Sequence, residues 1–592
     1  MSATPPRDPV MDPRPDHQVL AHSTAKHVHH TWAKTFKCRP ELYIKPQTLE
    51  EIQSIVTLAH KRRRRLVVVG CGHSPSDLTC SSSWMINLDE YNRVLKVDKA
   101  RKTLLVQGGI RLRKLNDEAN KEGLTMRNLG SIHEQSIVGA IATGTHGSSL
   151  KHGLLSESVR SLRIVLANGQ AVRCSKEQNA ELFRAALLSL GALGIIVEVE
   201  FEVIDQGKIE WEQELVSLEQ VLNTWDNTLW TQKEYTRVWW MPYMKRAIVW
   251  SADKTDKPLR SPQESWYGGS VGFHTYHNLL WLSNFVPSIL PWVEWFVFGM
   301  QYGFSTGTKT SAVEELRTGL LMNCLYSQFV NEWALPLTKG PEAITRLSAW
   351  INGEPGAGGI PFSSKGVYVH CPIEVRVSDT SNTRCRPYLD NTNPDGPTLY
   401  LNATLYRAYL QDPPCWKRYY QAFEWLMQEM GAKPHYAKNF SYTSSEYLSE
   451  KLGDGLTQWL RVRHEADPDG MFLGEWHKRT LGLGNPTKYT LQEREISRQK
   501  ASDGGQLWVG AVTASAGPAA DAFVDEKPLD PRTRSESPAA SSSASSFDMM
   551  HGAEAEKSIL YNGSEYDDDE EGPRFHGNSQ HKMTGTAVFD KM

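Results

Sequence analysis

Regular patterning begins at Thr48-Leu49-Glu50-Glu51, followed by Ile52, Ile55, Val56 and Ala59. The Thr-x-x-Glu spacing is that of a capping box, and the four apolar positions share one face at helical spacing, which predicts a helix packed beneath the next element. That element is Val67-Val68-Val69, a β-branched run that predicts a buried strand, and the chain then turns sharply through Gly70-Cys71-Gly72-His73-Ser74-Pro75-Ser76. Further short strands are predicted at Trp84 to Leu88, Val94 to Val97 and Thr103 to Val106, a polar helix over about Leu112 to Glu122, and a hairpin turn at Asn168-Gly169. Ser189 to Ile196 opens another strand. The order describes an α+β sheet domain rather than a Rossmann unit, because the sixth position of the G-x-G-x-x-G spacing is Pro75, which suits an extended loop better than close helix packing.

From about Val203 to Tyr420 the pattern changes. Trp211, Trp225, Trp230, Trp239, Trp240, Trp250, Trp266, Trp281, Trp292 and Trp295 crowd this segment, and Thr236 to Trp240 and Ala247 to Trp250 read as strands. Such aromatics either roof a pocket or fill a core, and filling a core is the commoner use. Phe273 to Val293 carries no Asp, Glu, Lys or Arg over 21 residues, which approaches the length of a membrane span. Two prolines, two histidines, two asparagines and the following Glu294 argue against a span, leaving a buried helix pair or an apolar patch lying at a membrane surface. The ends look unable to fold. The expected organisation is a disordered tail over 1–31, a sheet domain over 32–205, a second α+β domain over 206–420, a segment completing the site over 421–484, and a low-complexity acidic tail over 485–592.

A net charge of -3 over 592 residues gives no reason to expect nucleic acid, which needs a basic face. The one basic run, Lys61 to Arg65, reads as a solvated helix end. Eight cysteines (38, 71, 80, 174, 324, 371, 385, 415) lack C-x-x-C pairs or metal spacing, so no metal is expected and reduced intracellular thiols fit best. Residues 1–16 hold prolines and aspartates without an apolar core, which fits neither a secretory signal nor a transit peptide. The sequons at Asn402, Asn439 and Asn562 are accordingly expected to stay unmodified.

Candidate chemistry gathers in a few places. His73 follows the glycine turn directly, and an imidazole held against an electrophilic cofactor is a nucleophile as well as a base. Arg127 to Ser149 is dominated by small and hydroxyl residues, which offer backbone N–H groups and hydroxyls to an anionic group. With Ser189 to Ile196, three such runs fall within about 130 residues, and a large ligand explains them better than three unrelated turns. Tyr368 to Arg376 alternates like a strand, so Glu374 and Arg376 project from the same face while Val375 and Val377 bury the other.

Together, G-C-G-H-S-P-S, N-L-G-S-I, G-A-I-A-T-G-T-H-G and S-L-G-A-L-G-I-I resemble FAD flavoproteins of the vanillyl-alcohol-oxidase type, in the sugar-lactone and alditol oxidase branch, from about Trp32 to Lys478. The resemblance implies a two-part FAD-binding domain with an α+β substrate cap. It implies that His73 carries FAD covalently through the flavin 8α-methyl carbon, and that Val69, Gly70, Cys71, Gly72 and Ser74 line the cofactor. Ser131, Ser136 and Gly139 join that lining by the same resemblance, as do Thr143, Gly144, Thr145, His146 and Ile196. Glu374 would orient sugar hydroxyls and Arg376 would stabilise developing negative charge. Phe472 to Lys478 aligns with the family's H-W-x-K motif with Glu475 in place of the histidine, which would bring Lys478 close to the flavin. Gly130 would sit beside the flavin edge where a side chain can screen out O2. The implied reaction takes an aldono-1,4-lactone and O2 to an ascorbate-type enediol lactone and H2O2. The alternatives are an alditol oxidase, a cytochrome c-linked lactone dehydrogenase and a non-catalytic membrane-associated flavoprotein. Peripheral association with the mitochondrial membrane, or otherwise a cytoplasmic location, is also implied.

Overall fold

A computed structural model describes residues 16–483 apart from 264–268, 323–324 and 371, so Trp266, Asn562 and both expected tails beyond these limits lie outside the described residues. The expected helix is α1 (Leu49–Lys61), with Ile52, Ile55, Val56 and Ala59 all buried. The Thr48 hydroxyl accepts the Glu51 N–H at 3.1 Å, while the Glu51 carboxylate reaches past the cap residue to accept the Gln47 N–H at 2.8 Å. A small sheet lies against this helix: β1 (Ser23–Thr24), β2 (Leu42–Ile44), β3 (Leu66–Val69) and β4 (Trp84–Asn87), ordered β1-β2-β4-β3 with β2, β4 and β3 parallel. Order therefore starts before Trp32, contrary to the expected tail. A helical turn at Asp16–Val19, β1, and a pairing of His29–His30 with Lys37–Cys38 hold this polar stretch through backbone hydrogen bonds and an Asp16–Arg62 ion pair rather than through an apolar stripe.

The second sheet is antiparallel: β5 (Val94–Asp98), β6 (Thr103–Gln107), β7 (Val159–Val165), β8 (Ala171–Ser175) and β9 (Ile195–Glu202), in the order β8-β7-β9-β6-β5. The polar helix is α2 (Leu112–Lys121), and Asn168-Gly169 turns β7 into β8. The basic run is absorbed locally. Arg64 pairs with Glu41 at 2.9 Å, and Arg65, almost wholly buried, reaches Glu475 at 3.1 Å.

The cap is a third sheet, eight-stranded and antiparallel, made of β10 (Lys208–Ser217), β11 (Tyr235–Met241), β12 (Arg246–Thr255), β13 (Lys309–Glu315), β14 (Gln328–Pro336), β15 (Ile373–Ser378), β16 (Thr398–Tyr406) and β17 (Lys433–Pro434). Its order is β13-β10-β12-β11-β15-β16-β14-β17. The cap thus runs past the boundary expected at residue 420, because β17 and the helix Trp416–Glu429 pack with it. Trp211, Trp225, Trp230, Trp240 and Trp250 are core. Only Trp239 of the tryptophan-rich segment lines the cavity described below, among the described residues. The uncharged run becomes a helical hairpin, α4 (Ser270–Ser283) and α5 (Leu290–Tyr302), introduced after α3 (Ile137–Ala142) in chain order. Tyr276, Leu280, Val293 and Val297 bury one side of the hairpin, and Glu294 anchors it by accepting the Met244 N–H at 2.7 Å. Among the described residues no helix is long and apolar enough to cross a membrane.

Several histidines are buried within this framework. Burial holds the pKa of His29 down to about 3 and those of His370 and His477 down to about 4, against an ordinary 6.5. A depressed folded pKa means that the unfolded chain binds the proton first, so stability is lost as pH falls from 6.5 toward 4. Each such histidine should contribute a slope of about 1.4 kcal/mol per pH unit. His370→Gln, which keeps an acceptor for the Tyr406 N–H now bound to Nδ1 at 3.0 Å, should flatten the pH dependence of the urea unfolding free energy by that one increment.

Candidate active site

One cavity runs between the first two sheets and the cap. On the first side, the end of β3 and the glycine turn form a wall that no larger backbone substituent fits. A Cβ on Gly70 would lie 2.2 Å from Ser136 Oγ, and Gly72 turns through a φ of +67°. Val69, Gly70, Cys71, Gly72, His73 and Ser74 all line this wall, with Gly130, Ser131, Ser136, Gly139, Thr143, Thr145, His146 and Ile196 beside them. His73 stands against Trp32 with ring centres 5.2 Å apart, and its buried Nδ1 has no hydrogen-bond partner. Burial, aided by Arg111 and Lys438, lowers its pKa to about 3, so the imidazole is neutral with a lone pair. Gly144 departs from expectation. Its φ is +77° and a Cβ there would face Leu188 and Asn391, so it makes the turn and does not line the cavity.

The opposite wall is one face of the cap sheet. Register places Glu374 of β15 opposite Asn402 of β16, and Asn402 opposite Glu332 of β14, with Trp239 of β11 beyond Glu374. These four lie in one row, and Arg376, two positions along β15, projects from the same face. Arg376 Nη2 donates to Glu332 Oε1, and Arg376 Nε lies 3.4 Å from Glu374 Oε2. Asn402 Nδ2 donates to that same Glu374 oxygen at 3.4 Å. Lys438 Nζ is 3.7 Å from Glu332 Oε2, and His146 Nε2 is 3.3 Å from Oε1. Burial alone would raise the Glu332 pKa, but Arg376 and Lys438 outweigh it and hold the carboxyl well below the usual range. Burial would likewise lower that of Arg376, and Glu332 and Glu374 raise it instead. Burial keeps His146 and His435 neutral. The His146 Nδ1 contact to Gly147 O at 2.9 Å and the Ala437 N–H donated to His435 Nδ1 at 3.2 Å fix opposite tautomers on the two rings.

Lys478 does not line the cavity; its ammonium sits 3.1 Å from Glu475, which Arg65 also reaches. Glu475 is thus part of the clamp between the C-terminal helix α8 (Glu475–Leu481) and β3, numbered after α6 (Gly340–Ile351) and α7 (Trp416–Glu429). The histidine-aromatic-x-lysine spacing recurs at His435-Tyr436-Ala437-Lys438, and there both the histidine and the lysine line the cavity. Tyrosine in place of tryptophan hid that stretch. Sequence reasoning also missed Glu332, Asn402 and Thr404; the strand alternation of β14 and β16 was the available signal. The helix α8 still contributes, because His477 reaches the cavity and Arg479 grips Asp77 of the glycine-turn segment through two bonds of 2.9 and 2.8 Å. Two expected sequons are internal: Asn402 is in the wall, and Asn439 is buried with its amide donating to Pro75 O at 2.9 Å.

A family profile described as D-arabinono-1,4-lactone oxidase matches residues 199–480, and one described as an FAD binding domain matches residues 40–175. A chain from Neurospora crassa is 51% identical across 77% of this chain and 86% of its own length. The D-arabinono-1,4-lactone oxidase of Yarrowia lipolytica is 40% identical across 76% of this chain and 97% of its own. The chain belongs to the D-arabinono-1,4-lactone oxidase family. In fold it is similar to the cholesterol oxidase of Brevibacterium sterolicum, with a TM-score of 0.64, 14% identity, and 77% of this chain and 96% of that one covered. The glycine-turn wall, with its Cβ-excluding approach and its unpartnered His73 nitrogen, fits the FAD that the family's binding domain takes. For this family member, Lys438→Ala should lower kcat/KM for D-arabinono-1,4-lactone by ~10²-fold through loss of one preorganised cation. Lys478→Ala should leave it unchanged, with peroxide release as the assay.

Proposed function

We propose that this chain is an FAD-dependent oxidase of an aldono-1,4-lactone, D-arabinono-1,4-lactone by its family, yielding an ascorbate-type enediol lactone and H2O2. The observation that carries the reading is the set of charged groups on the cap side, Glu374, Arg376 and Lys438, facing the glycine-turn wall across one cavity. Glu374, steadied by Asn402, accepts hydrogen bonds from sugar hydroxyls. Arg376 and Lys438 place positive charge where the substrate hydroxyl loses its proton and negative charge develops. FAD, held by the glycine-turn wall, would supply the two-electron chemistry for oxidation at the carbon beside the lactone carbonyl, with O2 as the final acceptor. Gly130 leaves one side of the cavity without a side chain, and a Cβ there would press Thr145 Cγ2 at 3.2 Å. Anaerobic mixing with D-arabinono-1,4-lactone should bleach the flavin band, and air should restore it with release of H2O2. Gly130→Ala should slow the restoration more than the bleaching. No bleaching of flavin-loaded protein by the lactone would sink the reading.

His73 is proposed as the covalent attachment point. With FAD bound, His73 would hold it by a bond from a ring nitrogen to the 8α-methyl carbon, a net loss of two protons and two electrons for which O2 would be the acceptor. The neutral imidazole and its unpartnered Nδ1 support this. His73→Ala should leave FAD removable by acid precipitation, whereas the wild-type polypeptide keeps it.

The outer side of the α4–α5 hairpin is proposed to rest on a membrane surface, for which the resemblance points to mitochondria. Phe285 is 63% exposed and Trp292 50%, with Trp281, Val286 and Trp295 also exposed and Tyr409-Leu410 next to α4. Aromatic and aliphatic groups in that number suit the boundary between headgroups and acyl chains. Phe285→Ser with Trp292→Ser should abolish flotation with vesicles of mitochondrial lipid composition while lactone turnover in solution is retained.

A further inference from the structure

Glu332 has no part in the reading above, yet its surroundings differ from those of Glu424, a carboxylate of the cap that is as deeply buried. Asn331 and Glu332 are neighbours on β14 and project from opposite faces. Asn331 donates to Glu424 at 2.9 Å, and Glu424 also accepts the Ser441 and Tyr442 N–H groups at 2.9 and 2.8 Å and the Thr443 hydroxyl at 2.9 Å. Every one of those donors belongs to the fold. Glu332 is 0% exposed, and among the described residues no backbone N–H donates to its carboxylate. Its ionic partners are Arg376 and Lys438, and both line the cavity, as does the neutral His146 beside it. A buried ion pair is a poor device for stability alone, since a well-packed apolar pair serves as well.

We propose that Glu332 is a positioning residue of this active site: from the buried floor of the cavity wall it fixes the Arg376 guanidinium and the Lys438 ammonium in one arrangement and sets the charge that flavin and substrate meet. The inference rests on the reading that the cavity takes FAD and a lactone. Arg376 is held at both ends, by Glu332 through Nη2 and near Glu374 through Nε. Without Glu332 the guanidinium would turn wholly onto Glu374 and occupy the acceptor oxygens that the sugar hydroxyls need. The cations Arg237, Arg376 and Lys438 stand around the carboxylates Glu332 and Glu374, so removing the Glu332 charge adds one further positive charge to the excess. His146, Glu332 and His435 do offer ligand atoms within 4.8 Å of one another. With a guanidinium and an ammonium already on the same carboxylate, a divalent cation would be repelled, and the cluster is an anion among cations rather than a metal site.

The test compares flavin-loaded wild type, Glu332→Gln and Glu332→Asp by two readouts: lactone-driven bleaching, and titration with sulfite, an anion whose binding also bleaches enzyme-bound flavin. Glu332→Gln should slow lactone bleaching by ~10²-fold through misplacement of Arg376, and tighten sulfite binding by about tenfold through the surplus positive charge. Glu332→Asp keeps the charge but withdraws it by one methylene, so sulfite affinity should stay near wild type while lactone bleaching stays slow. Wild-type behaviour of Glu332→Gln in both readouts would overturn the proposal, as would loss of flavin and of folded tryptophan fluorescence in both variants, which would assign Glu332 to the fold. If wild type itself is not bleached by the lactone, the reading of the cavity fails, and the sulfite titration alone still decides whether Glu332 sets its charge.

Discussion

The seam at Ser148 and Ser149 holds the two walls of the cavity in register. The Ser148 hydroxyl donates to Thr236 O of β11 and accepts the Val377 N–H of β15 at 3.2 Å, while Ser149 N–H donates to Val377 O at 2.9 Å. The Ser149 hydroxyl adds a bond to Glu234 O at 2.5 Å. These contacts fasten the end of the glycine- and hydroxyl-rich run to the strand that carries Glu374 and Arg376. A neutral hydrogen bond contributes only about 1 kcal/mol net. Their importance lies in direction, because sliding β15 by a single residue relative to this run would turn its charged face away from the cavity. The run from Arg127 to Ser149 therefore does two jobs, cradling a ligand with its first part and aligning the cap with its last.

Much of the first two sheets was legible in the chain. The cap box and apolar stripe of α1, the β-branched run of β3 and the Asn-Gly hairpin between β7 and β8 are local signals, and local signals read directly. The polar stretch before Trp32 was misread as a tail because its order comes from strand pairing with residues further along, which leaves no periodicity. The cap's extent was misjudged for the same reason: Lys433–Pro434 is too short to announce itself and becomes a strand only by pairing with β14.

The site shows the same division. Glu374 and Arg376 were found because alternation along one strand places them on one face. Glu332 and Asn402 lie on other strands, and nothing in a linear chain says that β14, β16 and β15 are neighbours in the order that makes the row. Lys478 was expected near the flavin because Trp476 and Lys478 fit the end of the H-W-x-K motif, and the stretch from His435 to Lys438, with tyrosine at the second position, went unread. The cavity favours Lys438, since a positive charge there meets Glu332 while Lys478 is taken up by Glu475.

Asn402 and Asn439 bear on how the protein can be made. Each carries the tripeptide recognised by oligosaccharide transfer, yet Asn402 stands in the middle strand of the charged row and Asn439 ties β14 to the glycine-turn segment through Val330 N–H at 3.0 Å and Pro75 O at 2.9 Å. A glycan added to the nascent chain at either position would wedge open the cap sheet or break the tie to Pro75 before the cavity closed. A secretory expression host would therefore trap the chain short of its native state, and a cytosolic host leaves both asparagines free to fold inward.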